Sequence, residues 1–262
     1  MKLPLIALIS AAIVLQTGCV TGRRSFALPV PSHDIPAATQ GKVYIAAVTD
    51  DREFQNKPSE PSTPSINGDA TKLSAQEKDQ MIGRQRNGFG HAMGDMALPA
   101  DDSVTKRARL LVEQGLMRKG YEISSDPNAR YAVTVSVKEF WAWMTPGFLA
   151  LTFEAKVSCL ISVTDGRRVS TTIVKGYGLN HGQVAKDGNW QEAYDPAFED
   201  FIANFETQWE NLGLRKDPTN PVKAKLAAGD LYEQLKKLDE LKRQGILTDQ
   251  EFDSQKRKLL EQ

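Results

Sequence analysis

The sequence predicts an α+β protein: a mainly antiparallel sheet with two packed helices in the order β-α-β-β-β-α, followed by a small two-helix C-terminal hairpin. Three observations lead there. Apolar and polar residues alternate along three consecutive stretches after Arg130. Two other stretches, Val104 to Leu116 and Phe198 to Leu212, carry apolar residues at threes and fours. An amphipathic helix pair laid on one face of a sheet is the economical way to bury both kinds of stripe.

In chain order, Val43 to Val48 form a short apolar run closed by Thr49, Asp50 and Asp51, as in a buried strand. Residues 52–100 read as a long loop, with Pro58, Pro61 and Pro64 followed by Gly83, Gly88, Gly90 and Gly94. Loops of that size are usually functional or disordered. Asp101 to Gly120 is a helix with acidic residues at its start, Arg118 and Lys119 near its end, and a closing glycine. Tyr131, Val133, Val135 and Val137 make the first alternating strand, and Phe153, Ala155, Val157, Cys159, Ile161 and Val163 the second. Asp165 and Gly166 turn the chain into a third, from Val169 to Gly178. Asp195 and Pro196, a cap and a first-turn proline, open the last helix of a domain spanning 42–214. Pro218 and Pro221 mark a linker, 215–229.

The N-terminus carries an address. Met1 and Lys2 precede an apolar stretch from Leu3 to Leu15, shorter than the ~20 residues a membrane-spanning helix needs. Residues 1–18 are therefore an export signal. Small residues ahead of Cys19 resemble the lipobox of bacterial lipoproteins, with the apolar residue of that motif one position early, at Leu15. The resemblance implies cleavage before Cys19, a diacylglyceryl group on its thiol and acylation of the new amino terminus. Val20, where retained lipoproteins carry Asp, implies the outer membrane, facing the periplasm. Several acyl chains at ~0.8 kcal/mol per buried methylene make such an anchor lasting. Residues 19–41, with Gly, Pro, Ser and Thr, read as its tether.

Lys plus Arg and Asp plus Glu are balanced at 33 each, so no global field steers the chain to nucleic acid or acidic lipid. With Cys19 lipidated, Cys159 has no partner in the chain, which excludes a disulfide framework.

The C-terminal segment 230–262 is a helical hairpin. Leu231, Leu235, Leu238 and Leu241 stripe one helix, Gly245 ends it, and Ile246 and Leu247 lead to Thr248 and Glu251, spaced as a capping box. Leu247 and Phe252 have the spacing of a hydrophobic staple, and Leu259 and Leu260 continue the second stripe. This run resembles the SHOCT module, a short C-terminal domain of many bacterial proteins. The resemblance implies docking or self-association, with Leu235, Leu238, Leu241, Ile246, Phe252 and Leu259 as the contact residues.

Motifs of chemistry are absent from the sequence. His33, His91 and His181 are widely spaced, without metal-ligand spacing, and no nucleophile elbow, phosphate loop or dinucleotide fingerprint occurs. No catalytic residue, metal or cofactor is expected, and Cys159 reads as a buried small hydrophobe. Two stretches are candidate contact sites. Arg84, Arg86, Asn87, Gly88, Phe89 and Gly90 form a Gly-rich run able to cradle an anion. Trp141, Trp143 and Phe148 fall between two strands, either as an aromatic hairpin tip that touches lipid, peptidoglycan or a protein, or as cover for the helices of the same domain. The Arg-Asn-Gly-Phe-Gly run, with the first strand and the helix ending in Lys119, Gly120 and Tyr121, resembles the YajG family of envelope lipoproteins over about Lys42 to Leu212. That resemblance implies fold and place more than activity.

The sequence thus reads as a non-enzymatic, lipid-anchored envelope protein, an accessory, assembly or docking factor. Its partners would be the membrane and a protein or second copy at the C-terminal hairpin. An auxiliary subunit of a transport system binding lipid or another hydrophobic ligand is the alternative, marked by an apolar groove between helices and sheet. An envelope hydrolase would need His91 or His181 beside a carboxylate.

Overall fold

The structure is a computed structural model that describes residues 22–87, 91–212, 214, 234–243 and 249–260. The expected signal segment 1–18, Cys19 and the linker 215–229 lie outside the described residues. The main body is a mixed α/β unit built on an eight-stranded sheet.

Three long strands carry that sheet: β6 (Tyr131–Pro146), β7 (Leu151–Asp165) and β8 (Arg168–Gly182). They form an antiparallel meander, because short turns reverse the chain. Alternation has the expected result, with Val133, Val135 and Val137 of β6 and Phe153 to Val163 of β7 sending every second side chain inward. β6 is long enough for its other edge to hold two partners. β2 (Gly41–Asp50) lies parallel to its first half, from Val43 opposite Tyr131 to Asp50 opposite Val137. β3 (Met81–Arg86) lies parallel to its second half, with Gly83 opposite Ala142. β5 (Tyr121–Ser124) adds to β2, β4 (Ala92–Ala97) to β3, and β1 (Arg24–Ser25) to β4.

Among the described residues four pairings are parallel and three antiparallel, so the expected mainly antiparallel sheet is corrected to a mixed one. Strands joined by a tight turn reverse, whereas β2 reaches its neighbours only after a long connection that includes a helix, and returns parallel. Where β2 ends and β3 begins, the edge of β6 is filled by one side chain. Arg52 is fully buried and pairs bidentately with Asp50, at 2.7 and 2.8 Å. Its guanidinium also donates to the carbonyls of Phe140 (2.7 Å), Met81 (2.6 Å) and Lys78 (2.7 Å).

Two helices cover one face. α2 (Val104–Arg118) starts at Ser103, whose hydroxyl accepts from the Lys106 N–H, and closes at Gly120, whose φ of +78° suits glycine. α3 (Asp187–Asn211) begins well before the expected Asp195 and Pro196 and carries Pro196 in its interior. Its first turns bury Trp190, Ala193 and Tyr194 against the sheet, and that packing outweighs the one hydrogen bond a proline forfeits. α3 can lie so close because β8 presents Gly176 and Gly178. A Cβ there would stand 2.1 Å from the Ala197 carbonyl oxygen and 2.2 Å from that of Ala193.

Two further expectations are corrected. Residues 52–100 are not a plain loop: they hold a 3-10 turn (Ala70–Lys72), α1 (Ala75–Gln80), β3 and β4. The strand signal was hidden because Arg84, Arg86 and Asp95 occupy buried strand positions. The described part of the expected tether is docked, with Phe26 and Leu28 in the core and Arg24–Ser25 in the sheet. At the C-terminus, helices span 234–243 (α4) and Asp249–Leu260 (α5).

Candidate functional site

Segment 52–80 folds over the second sheet face at the far end of β6, making a smaller core of Ile66, Ala70, Met81, Ala97, Trp141 and Trp143 with Phe54 and Leu73. Trp141 meets Phe54 edge-on at 5.9 Å and donates its indole N–H to the Pro61 carbonyl at 3.2 Å. Trp143 lies under the Lys156 ammonium, 5.3 Å from its ring centroid. Both tryptophans are therefore strand residues buried under this segment, not parts of an exposed tip. Alternation along β6 turns them to the face opposite the helices, where segment 52–80 supplies the covering.

Between this segment and the β3–β4 hairpin lies a cavity of about 980 Å³, lined among others by Lys57, Asn67, Asp69, Arg84, Arg86 and His91. Arg84 stands 3.7 Å from Asp95 and donates to the Ser65 hydroxyl at 3.3 Å. Burial lowers the pKa of Arg84 and raises that of Asp95, so desolvation outweighs their mutual attraction, while the Asn67 N–H at 2.8 Å steadies the carboxylate. Arg86 donates to the Pro58 carbonyl at 3.1 Å. Of the candidate anion-binding run, Arg84 and Arg86 belong to β3 and tie segment 52–80 down while lining this cavity. Asn87 closes the strand end by exchanging hydrogen bonds with His91, both at 2.9 Å. Gly88, Phe89 and Gly90 lie outside the described residues.

The β6–β7 turn does expose apolar groups. Phe148 is 100% exposed and Leu149 84% exposed, in a turn closed by the Gly147 N–H donating to the Ala150 carbonyl at 2.9 Å. Val184, after β8, is 59% exposed. Leu149 and Val184 escaped the sequence reading, since a single exposed aliphatic in a loop carries no periodic signal.

In the C-terminal module, Leu235, Leu238 and Leu241 are half-buried on α4, and Phe252 is half-buried on α5 beneath Lys242, 4.5 Å from the ring centroid. Ile246 lies outside the described residues, and nothing is described of the Leu259 side chain. Cys159 is buried, and desolvation pushes its thiol pKa up to about 12, which leaves no thiolate near neutral pH. His33 lies 3.0 Å from Glu199, and His181 3.3 Å from the Thr152 hydroxyl.

Residues 233–260 are a SHOCT domain, matching the short C-terminal domain family. No curated protein matches the chain. Among solved structures, a Xanthomonas campestris protein of the DUF330 family is 11% identical, with a TM-score of 0.39 over 73% of this chain and 96% of its own. A hypothetical protein from Chlamydia trachomatis is 10% identical, with a TM-score of 0.32 over 66% and 97%. A neuraminyllactose-binding hemagglutinin homologue from Helicobacter pylori is 9% identical, with a TM-score of 0.31 over 72% and 96%. At these levels nothing of their binding passes to this chain.

Proposed function

We propose that this chain is an outer-membrane lipoprotein of the YajG-like kind, held by acylated Cys19 and facing the periplasm. There it acts as a non-enzymatic accessory or docking factor. The reading rests on one juxtaposition: an export signal running into Cys19 at one end, and a SHOCT domain at residues 233–260 at the other. The first fixes the chain to a membrane, and the second offers half-buried leucines on α4 to a partner or a second copy. The alternative, a transport subunit with an apolar groove between helices and sheet, draws no support from the α3 interface. Phe198, Phe201, Ile202 and Phe205 pack there against the sheet with no exposure above 1%.

Cell fractionation and crosslinking test the proposal. Cys19→Ser is expected to remove the protein from the outer-membrane fraction, and a chain ending at Pro221 is expected to lose its crosslinked partner or oligomer. Retention of Cys19→Ser in the membrane, or identical crosslinks without the hairpin, would contradict the respective half.

A further inference from the structure

The two ends of the β6–β7–β8 meander differ in chemistry. At one end the β7–β8 turn, Asp165 to Arg168, is charged. At the other, Phe148 and Leu149 occupy the middle of a tight turn, a place usually taken by small or polar residues that face the water. Neither side chain supports the fold, since Phe148 is wholly exposed and Leu149 nearly so. Val184 joins them, because Leu151 pairs with Gly182 and Val184 follows two residues later. Lys186, two residues after Val184, is exposed as well.

The N-terminal strand arrives at the same end. Arg24 forms an ion pair with Asp187 and donates to the Ala185 carbonyl at 3.5 Å, next to Val184. Strand polarity agrees. β1 runs parallel to β4, so the chain ahead of Arg24 leads back toward Ala92 and the β3–β4 turn. β3 is parallel to β6, which puts that turn level with the Pro146 end of β6. Cys19 lies five residues ahead of Arg24, a reach of at most about 18 Å. The turn at Phe148 and Leu149 projects roughly 7 Å beyond the Leu151–Gly182 pair.

We infer that Phe148, Leu149 and Val184 form a membrane-docking tip that enters the phospholipid interface beside the Cys19 anchor. The inference rests on the lipid-anchor reading, because the short link from Cys19 to Arg24 is what turns this end toward the bilayer. A free acyl anchor leaves a domain tumbling at the surface, whereas an apolar tip next to it fixes which end faces the lipid and which side points outward. α2, α3 and the open strand face of β8 are then presented sideways to the periplasm.

The test uses the full-length acylated protein reconstituted in vesicles of phosphatidylethanolamine and phosphatidylglycerol containing doxyl-labelled lipid. An environment-sensitive dye is placed on Phe148→Cys in one preparation and on Arg167→Cys, at the opposite end of the meander, in another; buried Cys159 is not labelled. Loss of emission at position 148 that exceeds the loss at position 167 is the expected result. Equal loss at the two positions, or none at 148, overturns the docking tip, including the case in which the tip serves a protein partner. The intact mass of the same preparations reads acylation of Cys19 separately. An unmodified Cys19 refutes the anchor, while the difference between the two dye positions still decides the tip.

Discussion

The two faces of the sheet are closed by different physics. On the helix side, rings and branched chains from α2 and α3 fill the space, among them Phe140 stacked on Tyr194 at 5.2 Å and Phe205 on Trp209 at 5.3 Å. On the other side a short segment is held down by polar fastenings: Arg52 on three carbonyls, Arg86 on the Pro58 carbonyl, and the Trp141 indole on the Pro61 carbonyl. The first face tolerates changes that keep volume and apolarity, and the second tolerates only changes that keep donors in place.

That contrast can be broken in stages. The largest effect is expected from Gly176→Val, whose side chain would meet the backbone of α3. Destabilisation beyond the ~3 kcal/mol of ordinary overpacking, read as loss of cooperative unfolding, is expected. Next, Arg52→Ala is expected to cost about 3–5 kcal/mol in denaturant titration, since it removes a fully buried side chain and strands half-buried Asp50 and three carbonyls. Arg52→Lys should recover only part of this, because an ammonium cannot reproduce the planar fork. Phe198→Ala on the helix face should cost a similar ~3–5 kcal/mol, but by leaving a cavity. Trp141→Phe should cost about 1 kcal/mol and raise amide exchange in segment 52–80 while leaving α3 protected.

Acid gives the gentlest test. Asn56 and then Thr71 hold the Asp69 carboxyl below its ordinary value, and the Ser74 backbone and hydroxyl do the same for Glu77. A depressed carboxylate contributes stability above its unfolded pKa, near 3.8 and 4.5 for these two, and loses it as the pH falls through its folded value. Protection from hydrogen exchange, corrected for the intrinsic rate at each pH, should therefore fall in segment 52–80 below about pH 4 before it falls in α3.

The same contrast decides what could be read in advance. β2, α2, β6, β7 and α3 carry strong apolar patterns, because their inward positions are aliphatic or aromatic, whereas β8 turns Val174, Gly176 and Gly178 inward; all six occur in the expected order. β3 and β4 show no strand period in the sequence, since Arg84, Arg86 and Asp95 sit where alternation demands apolar residues. Pro196 obscures the start of α3, whose first turns hold by the packing of Trp190, Ala193 and Tyr194 and by the Asn189 side-chain oxygen accepting from the Lys186 N–H at 3.1 Å. Trp141 and Trp143 stood out as a candidate site, yet which face they take depends on partners fifty or more residues away, about which local pattern is silent. Phe148 is legible as a turn residue, whereas the contact of Arg24 with the Ala185 carbonyl, 161 residues away, leaves no local signal.

The central claim is that the mature chain begins at a lipid-bearing Cys19. The direct measurement is the mass of its N-terminal peptide, released by protease from protein taken from its own membranes. A peptide starting at Cys19 and carrying a diacylglyceryl group with a further acyl chain is the predicted result. An unmodified Cys19, or a mature terminus at any other residue, would contradict it.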